Sequence, residues 1–591
     1  MFGARSFRAA GALRAACASR PRAWASGAVV GGSAFAYSLA TVWSDGDALQ
    51  GAPTEQRFPL CSVFAWGNNR NKVVAPHRNK SDIKTPAPIP AFDGVALRDL
   101  QLADTYGAAV DAHGDVVQWG AGFTDELDPK APLVPQKTLV GMDIVKLQLC
   151  GPKVYALSRS GSIYVFAAER ILQLTPASWR DKLPGASATI DYVKLDTVAD
   201  GRPTKERFVS IAAGKHHLLA LSQHGTVWSV PVDEHANAYG QLGYSQTALN
   251  AAPEAQHTQV EAIPWRLEPQ ILARKRQGAG SSASLLDVPM GDLPEGRVWI
   301  SPSNIRFATQ LRPVPSLRDV EIAQIAAGLE HSAARTPTGR VVGWGRNTYG
   351  QLALGESSFG DTIAVPTEVR WPHAVLGADT RCIDLVAGAH NTYFVMRSNG
   401  APPAGKSDDE DAPPKPLVLT DRVDVLAAGC GERGSLGNAL RSQICSVPVR
   451  VKNVSGLVEY SEQDHTVVPI GVRSLTVGPD GQCALVVDVN SLGEQNHRDV
   501  WVWGANDQYQ LGNGKHSNIA TPVLLTLPLP SGEAAAQKDG PTLNRLLLVE
   551  RSKVPGKTYE PDGSGSQRKY HIEQHIVAGG DGMAVYGRVV L

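Results

Sequence analysis

Apolar residues in this chain come in short runs of four to six, set off by small or turn residues. Phe208–Ala212, Leu218–Ser222 and Thr226–Ser229 are three such runs in succession, rich in Val, Ile, Leu and Trp. Ala213-Gly214 follows the first and Gln223-His224-Gly225 the second. Runs this short, bounded by glycine and polar turns, predict antiparallel strands and not helices. The passage then recurs. IAQIAAGLEHSAARTPTGRVVGWG at 322–345 continues into RNTYGQLALGE, and DVWVWGANDQYQLGNG stands at 499–514.

Recurrence on this scale predicts a repeat architecture. The half built on Ala-Gly and a turn occurs seven times, centred on Ala103–Gly114, Cys150–Gly161, Ala213–Gly225, Ala327–Gly339, Ala387–Gly400, Val477–Val489 and Ala578–Arg588. The half built on V-x-x-W-G also occurs seven times, with Phe166, Val230 and Ala428 in the Trp slot of three copies. The chain begins on the second half, FAWGNN at 64–69, and ends on the first, IVAGGDGMAVYGRVVL at 576–591. The orphan halves complement each other, so the terminal strands are expected to pair and hide both sheet edges. One small sheet cannot bury both faces, whereas sheets arranged radially can. The expectation is an all-β, seven-bladed propeller over 58–591, closed by its N- and C-terminal strands.

The residues AAGxxH at 212–217 and 326–331, V-x-x-W-G at 341–345 and N-x-x-G-Q-L at 347–352 resemble the regulator of chromosome condensation repeat family. The resemblance covers roughly nine tenths of the chain, is strongest at 208–244, 322–369 and 499–524, and implies a seven-bladed propeller. The layout is also similar to fungal mitochondrial inner-membrane members, which implies a part in assembling respiratory complex III. The family's founding activity implies an alternative, guanine-nucleotide exchange on a mitochondrial GTPase, with the 272–296 insertion as the wedge.

Glycine (58) and proline (40) are abundant, as a turn-dense β chain needs. Insertions rich in Pro, Gly, Ser and charge fall near 245–320, 398–420 and 531–570 and read as surface loops, one of which would be a partner-binding arm. The seven Cys include no C-x-x-C pair, which excludes a zinc-site or disulfide framework.

The N-terminus differs. Residues 1–22 carry Arg5, Arg8, Arg14, Arg20 and Arg22, and no acid precedes Asp45, a composition that predicts a mitochondrial transit peptide. Residues 23–44 are uncharged with Trp24 and Trp43 near the ends. At ~1.5 Å per residue they match a ~30 Å hydrocarbon core. Ala23–Ser44 is therefore expected to be a single inner-membrane anchor, the alternative being a continued leader, with 45–57 a linker. Arg22 before the span and Asp45 and Asp47 after it favour a matrix N-terminus, although import sorting leaves the side open. The whole chain balances 57 basic against 57 acidic residues, and removing the first 44 leaves a net charge of −5. That sign argues against a nucleic-acid binder and weakens a mitoribosome role.

The recurring His216, His217, His331 and His390 invite a catalytic reading. Their blade-by-blade recurrence instead predicts imidazoles hydrogen-bonded to a neighbouring blade. No hydrolase, P-loop or metalloprotease motif occurs. The expectation is a non-enzymatic scaffold without a cofactor, binding protein partners (respiratory assembly intermediates or a GTPase) through one rim. Its structural repeat positions are Trp66, Trp119, Trp228, Trp344, Trp503, Gly214, Gly328, Gly388, His217 and His331.

Overall fold

The computed structural model describes residues 55–56, 58–124, 131–174, 190–233, 235–244, 265–266, 307–355, 360–371, 380–399, 421–441, 444–461, 466–489, 497–527 and 544–591. The expected transit peptide (1–22), anchor (23–44) and nearly all of the linker lie outside them, as do the 272–296 and 531–540 insertions. Among the described residues no helix is long and apolar enough to cross a membrane.

The chain is an all-β propeller, and among the described residues the helical elements are short 3-10 turns. Its unit is a four-strand antiparallel meander, such as Gln324–Ala327, His331–Arg335, Val341–Arg346 and Thr362–Glu368. The same meander runs through Thr380–Gly388, Asn391–Asn399, Asp421–Cys430 and Ile444–Arg450, and again through Val472–Val477, Cys483–Val489, His497–Gly504 and Ile519–Leu524. The second strands Lys153–Ser158 and His217–Ser222 are buried at every residue. Cores such as the one joining Leu219 and Leu221 to Ala334 and Trp344 span adjacent units. This two-sided burial is why these runs are continuously apolar and do not alternate.

The fourth strand is the exposed edge, and it carries a proline in four units: Pro86, Pro366, Pro448 and Pro522. Proline lacks a donor and blunts an edge against further pairing. Opposite it, the register shifts at the W-G step, between Ala65/Gly67, Gly343/Gly345, Ala427/Gly429 and Val502/Gly504. Those glycines have φ of +118°, +105°, +123° and +96°. A Cβ on Gly67 would stand 2.3 Å from the Asp581 carbonyl oxygen. The glycine after the Trp is therefore a bulge residue that no side chain can replace.

The terminal strands close the sheet as the orphan halves imply. Val63–Asn68 pairs antiparallel with Gly582–Val589, from Val63↔Tyr586 to Gly67↔Gly582. Seven separate sheets do not form, however. Among the described residues the strands fall into six sheets of four or more strands, with two two-stranded ones. The reduction arises because the closing sheet is bridged to its neighbour by a parallel contact, Arg588↔Leu97.

Three boundaries also move. Residues 554–569, expected as a loop, contribute to a hairpin in which Ser552–Lys557 pairs with Gln567–Gly579. Buried Tyr559 pins it, packing on Phe92 and donating its hydroxyl to Pro135 O at 2.7 Å. Within the 245–320 insertion, Gln310–Pro313 is already a strand of the sheet, lying between Val227–Pro231 on one side and Asp196–Ala199 on the other. In the expected linker, Glu55–Gln56 pairs parallel with Asn544–Val549.

Candidate partner-binding rim

At one end of the strands two kinds of loop meet: the Ala-Gly turns and the loops that follow W-G. The N-x-x-x-Q-L motif folds the second kind. Asn237, Asn347 and Asn506 each accept through Oδ1 the amide of the Leu five residues on (Leu242, Leu352, Leu511) at 2.9–3.2 Å. Gln241, Gln351 and Gln510 each accept through Oε1 the amide two residues back, at 2.8–2.9 Å. Side chains that satisfy backbone donors lock the loop without a ladder.

The locked loop then presents its Gln carbonyl to the next unit. Gln241 O receives the Trp344 indole N–H at 2.9 Å and the Ser332 hydroxyl at 2.8 Å. Because that hydroxyl is spent on Gln241, Ser332 Oγ accepts from His217 Nε2 at 2.9 Å. The arrangement repeats one unit on: Thr392 donates to Gln351 O at 2.7 Å, and His331 Nε2 donates to Thr392 Oγ1 at 2.9 Å. Both rings are thus neutral Nε2–H tautomers, and burial holds each imidazole down at about 3. Gly328 is required beside them, since a Cβ there would stand 2.0 Å from His331 Cε1.

The slot of these histidines holds a polar donor in other units too. Tyr106 donates to Gly151 O and Lys153 O at 3.1 Å. Lys153, fully buried, donates to Val232 O, and burial lowers its ammonium to about 8. Asn391 donates to Ser435 Oγ at 2.9 Å and Gln482 to Gly580 O at 2.5 Å. A side-chain donor at this slot in six units, passed to a neighbouring loop or unit, is the physical content of the repeated His; in the closing unit the slot is Gly582.

The turns themselves are strung together. Lys215 N donates to Leu329 O at 2.8 Å, and Leu329 N to Ala389 O at 2.9 Å. On this arc Arg346 pairs with Glu330 and lies over Tyr239 (4.9 Å) and Tyr349 (5.5 Å), with His390 5.0 Å from the Tyr349 ring. His216 pairs with Asp233 at 2.7 Å. Elsewhere on the rim the side chains are acidic: Asp104, Asp480, Asp507 and Asp581, with Arg433 3.7 Å from both Asp480 and Asp507. The rim is therefore rigid in backbone and divided in charge, which suits recognition of a partner's surface.

The structure places Trp66, Trp119, Trp344 and Trp503 at no more than 1% exposure, each donating to a carbonyl of another loop (Gln510, Val73, Gln241, Ser435). Trp228 is buried differently, edge-on to Phe208 at 6.1 Å. Gly388 faces Val477 of the adjoining sheet, where a Cβ would stand 2.7 Å from Val477 Cβ. His217 and His331 are brought into equivalent interfaces, whereas His216 and His390, grouped with them by sequence, lie on the rim. Sequence reasoning missed Tyr239, Tyr349 and Arg346, although the position before G-Q-L carries Tyr at both 239 and 349.

Regulator of chromosome condensation repeats are present: the family described by that name matches residues 322–351, 338–395 and 499–533. The chain is similar to "Protein FMP25, mitochondrial" of Saccharomyces cerevisiae, 22% identical over 506 residues, covering 83% of this chain and 70% of that one. It is similar also to "RCC1 domain-containing protein RUG3, mitochondrial" of Arabidopsis thaliana, 26% identical over 382 residues, covering 61% and 66%. Among solved structures, Prp20p from Saccharomyces cerevisiae, described with its binding to Gsp1p and histones, superposes with a TM-score of 0.50 at 15% identity, covering 91% of this chain and 94% of that one. That likeness concerns the fold alone.

Proposed function

We propose that this protein is a non-enzymatic mitochondrial scaffold that holds protein partners on the turn-bearing rim, acting at the inner membrane in the assembly of respiratory complex III. The observation that carries this reading is the rim itself: side-chain-locked loops, strung turn to turn, presenting an Arg346–Tyr239–Tyr349 stack on one arc and carboxylates on another. Such a surface is prepared to bind, with little loop ordering left to do on association. The Arg-rich, acid-free leader and the two mitochondrial relatives support the compartment. The uncharged Ala23–Ser44 supports the membrane. In architecture we read a ring of seven units, because only the Arg588↔Leu97 pair and the isolated Val95↔Lys557 bridge join the two parts of the nine-stranded sheet. The Trp positions 66, 119, 344 and 503 then serve packing between units, not partner contact.

The test is cross-linking and affinity capture from mitochondria, wild type against Arg346→Glu, with native gels of respiratory complexes. Loss of an assembly intermediate from the variant, and of complex III in its absence, supports the reading. Unchanged capture and intact complex III refute it. Release of guanine nucleotide from a captured GTPase would move the assignment to the exchange-factor alternative.

A further inference from the structure

The chain enters the ring at the end of the strands opposite the Ala-Gly turns. Val63–Asn68 starts there and runs towards the turns, since Val63 pairs with Tyr586 and Gly67 with Gly582. The hairpin of Ser552–Lys557 and Gln567–Gly579 reaches that same end and packs on the entering segment. Cys61 Sγ donates to Pro555 O at 3.3 Å, and Gln574 donates to Phe58 O at 2.9 Å. Ser552–Lys557 is held on its other edge too, with Lys557 N donating to Gly94 O and Ala96 N to Lys557 O, both at 2.9 Å. The hairpin is thus a fixed shelf. Residues opposite each other on a ladder share a face. Ser552↔Ile572 and Val554↔Tyr570 turn Val554, Tyr570 and Ile572 inward, onto Cys61 and Leu60. Lys553↔His571, Pro555↔Lys569 and Lys557↔Gln567 form the outward face, with three lysines and no acid. Arg551 and Arg568 are exposed beside it. Among the described residues none of these five cations forms a salt bridge, and the acids nearest in sequence are engaged elsewhere. Glu550 lies 3.6 Å from Arg498, Glu560 2.6 Å from Lys137, and Glu573 2.7 Å from Arg473, while Asp562 accepts from the Ser564 hydroxyl at 2.6 Å.

We propose that this basic face of the 551–571 hairpin docks on anionic phospholipid headgroups, laying the entry end of the ring on a bilayer and turning the Ala-Gly rim away from it. Like charges gathered on one ladder face weaken the isolated hairpin, and a surface of opposite charge removes that cost. The chain beyond residue 44 is net −5, so the shelf also departs from the charge of the whole. A nucleic acid is the poorer fit, because the one aromatic on these two paired segments, Tyr570, faces inward and offers no ring for a base to stack on. The location fits a membrane. Residues 45–54 separate the uncharged Ala23–Ser44 from Glu55, and fully extended they span at most about 35 Å. An anchored chain therefore keeps this end of the ring within that distance of the bilayer. Gln567–Gly579 has 13 residues, which at ~3.3 Å each puts the turns about 40 Å from the hairpin tip. The rim then stays free for protein partners. The inference rests on the membrane reading above for where the shelf acts, while its basic face is a property of the hairpin itself.

The experiment is lysine acylation of the whole protein by a water-soluble reagent, read peptide by peptide by mass spectrometry. It compares vesicles of phosphatidylcholine alone with vesicles of equal parts phosphatidylcholine and phosphatidylglycerol. Lys553 and Lys569 should react at least about fivefold more slowly on the anionic vesicles, while Lys215, exposed on the opposite rim, reacts equally on both. The protection should fade in ~1 M salt, where the screening length is about 3 Å. Lys553→Gln should weaken the protection of Lys569 by at least about twofold, because the attraction is shared among the charges. Equal rates for Lys553 and Lys569 on the two vesicles overturn the proposal, as does protection by added RNA and not by anionic lipid. Flotation with the neutral vesicles reads the Ala23–Ser44 anchor separately. Protein that does not float there, yet is protected on anionic vesicles, upholds the basic shelf and refutes only the anchor.

Discussion

Replacing His331 with Gln should make the protein less sensitive to acid. His331 is fully buried, donates from Nε2 to Thr392 and is held by burial at about 3. An unfolded histidine titrates near 6.5. Below that pH the unfolded chain takes up a proton that the folded ring refuses, so stability is intact above about 6.5 and falls as pH drops towards 3. The slope is about 1.4 kcal/mol per pH unit per histidine, so His331 alone removes roughly 2 kcal/mol by pH 5. His217 and His575, also lowered to about 3 by burial, add comparable losses. Set against a typical stability of 5–15 kcal/mol, three such groups bring a domain near unfolding by pH 5. Gln is a fair replacement because this chain already uses Gln482 and Asn391 as donors in that slot. At pH 8 the variant should lose about 1 kcal/mol or less through imperfect geometry. Between pH 8 and 5 its unfolding free energy from urea melts should fall by about 2 kcal/mol less than that of wild type. The raised Asp99, Asp104 and Asp480 titrate in both proteins and cancel in the difference. An acid slope identical in His331→Gln and wild type would refute the buried, neutral tautomer.

Three further outcomes are expected. Trp344→Ala should cost ~3–5 kcal/mol, as for large buried aromatics, whereas Trp344→Phe should cost nearer 1, because Gln241 O keeps the Ser332 hydroxyl; denaturant melts measure both, and loss of partner capture at wild-type stability would contradict the packing role. Gly328→Ala puts a Cβ 2.0 Å from His331 Cε1 and should cost at least about 1–3 kcal/mol in the same melts, with no loss at all counting against the close approach. Buried Cys150, Cys382 and Cys483, whose thiols burial pushes up to about 12, should resist a thiol reagent at pH 8 until urea unfolds the chain, and rapid labelling of the native protein would show that these interfaces open.

What could be read from the sequence was whatever the backbone demands locally. The W-G glycines mark bulges because a Cβ has no room there, and that requirement leaves the same two letters at 66–67, 344–345 and 503–504. The Asn and Gln of N-x-x-x-Q-L recur because each closes its own loop. Closure by the termini was legible for a similar reason: an incomplete unit at each end must find its complement. The hairpin of 552–579 was not legible, because KTYEPDGSGSQRK has the composition of a loop and its order comes from Tyr559 reaching Pro135, a contact more than 400 residues away in sequence. The candidate site divides along the same line. The packing half, His217 and His331, repeats in sequence because the interface repeats. The rim half does not: the tyrosine slot of 239 and 349 holds Arg433 in another unit, turning an aromatic stack into an ion pair with Asp480 and Asp507. Repetition maintains the ring, and a partner-specific surface has to depart from it. The positions that break the pattern, Arg346, Arg433, Asp480 and Asp581, are therefore where function should first be sought, although a repeat search discards them as noise.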